Sequence, residues 1–164
     1  MVDIYMPAGV KADIPTSTAE FKPGQCAYGS DGREFVYVQS SGALTQYDCV
    51  AIDEDFIARP ITTTLGAEAN SVGFAQVAFT DGQFGWVATK GHDAGVDSLK
   101  VRTKDNTAAN AALYTSTSAG VLSSDGSTGN PVRVEGVRTA DAAPSGGGAT
   151  AIVATYPHLG LPAA

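Results

Sequence analysis

Leu99-Lys100-Val101-Arg102-Thr103-Lys104 alternates apolar and cationic side chains from Leu99 to Arg102 and places Lys104 back on the cationic parity. In an extended chain successive Cβ atoms point to opposite faces, so Leu99 and Val101 share one face while Lys100, Arg102 and Lys104 share the other. That is the pattern of an antiparallel strand with one face in a core and one in water. Val132-Arg133-Val134-Glu135 repeats it. Residues 72–79 are apolar on both parities, which places them in a sheet covered on both sides.

Outward from these stretches, 19 glycines and 8 prolines punctuate the chain, so long helices are excluded and short strands are the alternative. Segments rich in Val, Thr, Phe and Tyr predict about eight strands, at residues 34–39, 49–52, 71–79, 84–89, 99–103, 113–117, 132–137 and 150–155. The one helical candidate is residues 107–113, read as a single turn. Ser30-Asp31-Gly32 and Thr80-Asp81-Gly82 each precede an aromatic segment, Phe35-Val36-Tyr37-Val38 and Phe84-Gly85-Trp86-Val87. Asp-Gly suits a tight hairpin that needs positive φ. The expectation is two hairpins, residues 26–29 folding onto 35–39 and residues 71–79 onto 84–89. Trp86 reads as a core anchor, with Gly85 marking a close approach of another backbone or ring.

The whole is expected to be all-β, a single antiparallel β-sandwich or flattened β-barrel of jelly-roll-like character over residues 24–164. Both architectures need the same number of short alternating strands. Residues 1–23 carry Pro7, Pro15 and Pro23 with few apolar residues between them and read as an extended N-terminal arm. Residues 139–150, with Gly146-Gly147-Gly148, have little side chain to bury and read as a mobile connection.

The length of 164 residues suits one domain. Ten basic and 17 acidic residues give a net charge of −7, and residues 1–70 hold 10 acids against 4 bases. Duplex nucleic acid needs clustered cations and is an unexpected partner. No segment approaches the ~18 consecutive apolar residues of a membrane-spanning helix. The start lacks the cationic and hydrophobic regions of a signal peptide, so the expected site of synthesis is the cytoplasm. In that compartment Cys26 and Cys49 are expected to be two buried thiols, with a pair the alternative if neighbouring strands bring them together.

Catalytic patterns are thin. His92 and His158 both lie among turn residues and read as exposed loop histidines, and no Gly-x-Ser-x-Gly elbow occurs. Consecutive Asp53-Glu54-Asp55 diverge instead of forming an oxygen cage, and Gly146-Gly147-Gly148 lacks the Lys-Ser/Thr of a phosphate loop. No cofactor, metal or catalytic residue is expected.

The order Asp31-Gly32-Arg33-Glu34-Phe35-Val36-Tyr37-Val38, Leu44-Thr45-Gln46-Tyr47-Asp48-Cys49-Val50-Ala51-Ile52, Val72-Gly73-Phe74-Ala75-Gln76-Val77-Ala78-Phe79 and Phe84-Gly85-Trp86-Val87-Ala88-Thr89-Lys90-Gly91 resembles the small capsid decoration, or cement, proteins of tailed bacteriophages. Residues 113–122 and Tyr156-Pro157 are similar as well, and the arm lies outside the resemblance. It implies a structural virion protein on the outer surface of the head, bridging major capsid subunits, commonly as a homotrimer and without enzymatic activity. Ile4, Tyr5 and Met6, apolar residues on a polar arm, are the expected partner-binding residues. The alternative is a carbohydrate- or receptor-binding module of a head fibre or tail appendage, with Trp86 or Tyr114 as a stacking face.

Overall fold

A computed structural model describes residues 11–29, 32–68, 71–92, 98–104, 106–127 and 129–160. Among these residues it is all-β apart from one short helix. The elements are β1 (Cys26–Tyr28), β2 (Glu34–Ser40), β3 (Cys49–Ile52), β4 (Ile57–Pro60), α1 (Thr63–Glu68), β5 (Ser71–Phe74), β6 (Phe84–Gly91), β7 (Lys100–Thr103), β8 (Ala112–Tyr114), β9 (Arg133–Thr139) and β10 (Gly148–Leu159).

Five strands close on themselves in the order β2-β4-β3-β5-β6, with β6 returning to β2. Of the two architectures left open by the sequence, the core is therefore a closed barrel carrying extra strands. One of its seams is parallel, β2 with β4, through Gln39↔Ile57 and Ser40↔Ala58. Strand β4 was missing from the expected set. It exists because Asp53 makes a tight return: its Oδ1 accepts the amides of Asp55 and Ile57 at 3.1 and 2.9 Å, and Arg59 pairs with its other oxygen at 3.3 Å. The acidic run is thus a hairpin turn.

Alternation sorts the barrel side chains into two cores. Val36, Val38, Val50, Ile52, Ala58 and Val87 point inward, with Leu44 and Phe79 among them. Phe35, Tyr37, Cys49, Ala51, Val72, Phe74, Trp86 and Ala88 point outward. This outer face is covered by a second layer in which β10 pairs with β7 and β9, and β8 pairs with β9. Leu99, Val101, Leu113, Val134 and Ile152 supply its buried face, as the Leu99 and Val132 alternations predict. Both parities of residues 72–75 are buried, but the double cover expected over residues 72–79 ends there: Gln76 and Val77 are half-buried and Ala78 is exposed.

The two echoed segments become partners of each other. β2 and β6 pair antiparallel with Tyr37 opposite Trp86 and Val38 opposite Gly85. The first expected hairpin forms, Ala27 opposite Phe35. The second forms its turn, with the Gln83 amide donating to the Thr80 carbonyl at 3.2 Å and Gly82 at φ +78°. Its strands, however, meet only at Phe74↔Ala88. β5 stops early because the Gln76 side chain takes over the pairing role, donating to the Lys100 carbonyl at 2.9 Å and accepting the Lys100 amide at 3.2 Å.

Residues 107–113 are not helical; Ala112 and Leu113 enter β8. The helix lies instead at α1, where Thr62 caps the Leu65 amide through its hydroxyl at 3.2 Å. It is six residues long, and no helix among the described residues is long and apolar enough to cross a membrane. The connection before β10 is tied down: the Ala140 amide donates to Ala151, Ala143 to Thr107 and Gly147 to Pro144, at 2.8 to 2.9 Å. β10 accordingly begins at Gly148.

The described part of the arm lies across the barrel. Ala12 is buried, Thr16 exchanges both backbone hydrogen bonds with Phe84 at 2.8 Å, and Phe21 packs 5.4 Å from Tyr37 and 5.3 Å from Trp86.

Candidate functional site

At the end of the barrel where Glu34 pairs with Lys90, the wall is incomplete. β4 reaches β2 only at Gln39 and Ser40, and the three-residue β1 takes the same flank of β2 farther up. Ala27 turns into the outer core, so Cys26 and Tyr28 present their side chains on the other face, and both are exposed. β1 has one strand partner, β2, and its outward backbone groups meet none among the described residues.

Beside this free edge runs a groove of about 360 Å³ floored by Phe35, Val36, Ile52, Phe56 and Val72 and walled by Tyr28, Tyr156 and Pro157. Tyr28 is 61% and Tyr156 55% exposed, two of the three large apolar side chains most open to solvent among the described residues. The third, Ile14, lies in the arm.

Tyr156 is held there by an irregularity. The β9–β10 register shifts between Ala154 and His158, and Gly136 opposite has φ +74°. A Cβ on Gly136 would lie 2.7 Å from the Thr155 carbonyl oxygen, so only glycine lets the bulge approach. Tyr156 itself sits at φ +49° directly before Pro157, where extended backbone is the norm. Such a conformation costs on the order of 1–3 kcal/mol and is retained where the surroundings over-determine it. The surroundings here are polar. The Tyr156 hydroxyl donates to Glu34 Oε1 at 2.9 Å, Lys90 Nζ donates to the same oxygen at 2.7 Å, and Lys90 stands 5.1 Å from the Tyr156 ring centre.

The electrostatics follow from that triangle. Hydrogen bonds from Lys90 and then Tyr156 hold the Glu34 carboxyl below its ordinary value. The bond to Glu34 raises the Lys90 ammonium and the Tyr156 phenol above theirs. Glu34 and Lys90 neutralise one another beside an apolar floor, so the groove offers shape, aromatic faces and backbone donors to an occupant.

The residues singled out by the sequence are scattered. Ile4, Tyr5 and Met6 lie outside the described residues. Trp86 is 3% exposed, with its ring 4.9 Å from that of Tyr37, and the Phe79 ring closes on Gly85 where a Cβ would lie 2.7 Å away. The core-anchor reading holds and Trp86 offers no stacking face. Tyr114 is half-buried, with Gly126 close against its ring. His92 is exposed beside Gly32; His158 is exposed at the groove too, but it lies in β10 opposite Glu135 and not in the expected loop. Cys49 is buried and burial pushes its thiol well above the usual range, but Cys26 is exposed, correcting the expectation of two buried thiols. It sits on an edge strand with one face in solvent.

Tyr28 and Tyr156 were missed. The Cys26-Ala27-Tyr28 alternation has only a small residue on its buried parity, a faint signal of an edge strand. Tyr156 gave no signal, because its exposure depends on a bulge opposite a glycine twenty residues away. No family model, curated protein or solved structure matches the chain.

Proposed function

We propose that the protein is a structural component of a tailed-bacteriophage virion, a capsid decoration protein that binds the outer surface of the head as a homotrimer and bridges major capsid subunits. It is made in the host cytoplasm and acts by adhesion, not by turnover. The observation that supports this reading most directly is the apolar groove between Tyr28 and Tyr156 beside an unpaired strand edge. An isolated chain gains nothing from such a surface, which invites association; covering it in an assembly removes apolar area from water.

The resemblance of the β2, β3, β5 and β6 segments to cement proteins supports the same reading, as does an arm whose outer part carries Ile4, Tyr5 and Met6. These three residues are the proposed anchor on a neighbour. On a shell each copy is held by several weak contacts, and once the first forms the others act at high effective concentration.

Heating decorated and stripped particles side by side tests the proposal. Decorated heads are expected to rupture at a higher temperature, and equal rupture temperatures would overturn it. Deleting residues 1–10 is expected to lower occupancy on the head while the barrel still folds, because Ala12, Thr16 and Phe21 remain to pack against it.

A further inference from the structure

We propose that the groove beside β1 is the acceptor for the arm of a second copy, with residues 2–6 adding to the free edge of β1 as a further strand. The inference rests on the reading above that the arm anchors on a neighbour, and it names the surface that receives it.

Three observations converge on that occupant. The first is the edge itself: β1 pairs with β2 alone, and its outward backbone groups meet no partner among the described residues. An extended peptide satisfies such groups by strand addition, while pockets beside the edge take alternate side chains. The second is the groove, which runs along all three residues of β1 and opens over Ile52, Phe56 and Val72. It therefore lies where a strand added to this edge would set its side chains. The third is the sequence Val2-Asp3-Ile4-Tyr5-Met6, in which Val2, Ile4 and Met6 share a parity. Those three side chains would fill the groove between the tyrosines.

The arm already uses this mode once, where Thr16 exchanges both hydrogen bonds with Phe84 at the start of β6. Phe84 and the groove-lining Thr89 are five residues apart on β6, about 17 Å. Ten outstretched residues span up to ~33 Å, more than that separation, and the reading that the arm anchors on a neighbour assigns the contact to a second copy. A head-to-tail contact of arm into groove closes into a ring when the rotation between copies allows, and three copies make the homotrimer.

Cysteine cross-linking of the full chain tests the inference, because Cys26 already sits at the edge and Cys49 is buried. Val2→Cys, Ile4→Cys, Met6→Cys and, for the opposite parity, Asp3→Cys and Tyr5→Cys are each oxidised with copper phenanthroline and mapped by peptide mass. At least one even-numbered position is expected to link to Cys26 of another chain about fivefold more efficiently than either odd-numbered one, as cross-strand parity requires. No link to Cys26, links within one chain only, or equal yields from both parities would overturn the proposal.

Hydrogen exchange supplies a readout without new thiols. The β1 amides of Cys26 and Tyr28 are expected to exchange at least about tenfold faster in Ile4→Asp than in the parent assembly; unchanged rates would count against the added strand. Heads that remain decorated and stabilised while neither signal appears would remove this inference and leave the cementing reading intact. Strand exchange in a protein that ignores heads would do the reverse.

Discussion

The two ends of the barrel are built from the same pair of strands and finish differently. Where Gln39 meets Phe84, Tyr37 and Trp86 pack outward against Phe21 of the arm while Leu44 and Phe79 fill the inside. Where Glu34 meets Lys90, Tyr28 and Tyr156 stand in solvent around a groove. Composition does not distinguish the ends, since both carry aromatic residues next to turns. Whether a remote segment crosses over them does. Phe21 and the turn at residues 80–83 cover the first end, and β4 stops short of the second. An aromatic residue on a strand becomes an anchor or a contact surface according to what passes above it.

That contrast can be broken first by truncation. Tyr37→Ala is expected to lower the unfolding free energy by about 3–5 kcal/mol, as for other buried aromatics, and Tyr28→Ala to change it by no more than about 0.5 kcal/mol. Urea unfolding measures both, and similar losses would erase the distinction between a sealed and an open end. Next in size is Gly136→Ala, which meets the Thr155 carbonyl and a positive φ. It is expected to cost about 2 kcal/mol and to free Tyr156 from Glu34, seen as a Tyr156 ring signal in NMR moving toward its unfolded position.

The titration of two carboxyls sharpens the comparison further. Glu34, at the open end, is lowered by its hydrogen bonds to Lys90 and Tyr156. Its contribution is present above the ordinary glutamate range and lost as pH falls through the depressed folded value. Asp48 is raised by burial, against the Thr45 amide and Arg102, whose guanidinium is 2.7 Å away. Its contribution is present below the ordinary aspartate range and lost as pH rises through the elevated folded value. Stability measured against pH should therefore lose part of its acid-side slope in Glu34→Gln and gain acid-side slope in Asp48→Asn, which removes an opposing contribution. The smallest effect is optical. Trp86 emission is expected to be blue-shifted and resistant to acrylamide, and to stay so in Tyr28→Ala; a red shift there would connect the two ends.

Much of the strand layout was legible because it depends on short-range alternation. Leu99 and Val101, and Val132 and Val134, are buried on the parity their sequence assigns. The Asp-Gly turns were legible too, through the positive φ of Gly32 and Gly82. Strand partners were not. Residues 84–89 were assigned to the strand before them and pair chiefly with β2, since the Gln76 side chain diverts the preceding segment to Lys100. β4 was hidden because Pro60 and the acidic run beside it look like loop, and the α1 helix because three threonines look like strand. Of the candidate groove, neither Tyr28 nor Tyr156 was legible, because each stands over it through contacts with distant segments.

The residue order by itself determined that this chain is all-β, that Trp86 belongs in the core and that positive-φ turns fall at Gly32 and Gly82. Each of these follows from interactions spanning a few residues. Barrel closure through a parallel seam, the free edge of β1 and the standing of Tyr156 over a groove were decided only in three dimensions. They depend on which distant segments meet and which flank is left uncovered, and that is settled by the joint packing of two cores, which no single window of sequence encodes.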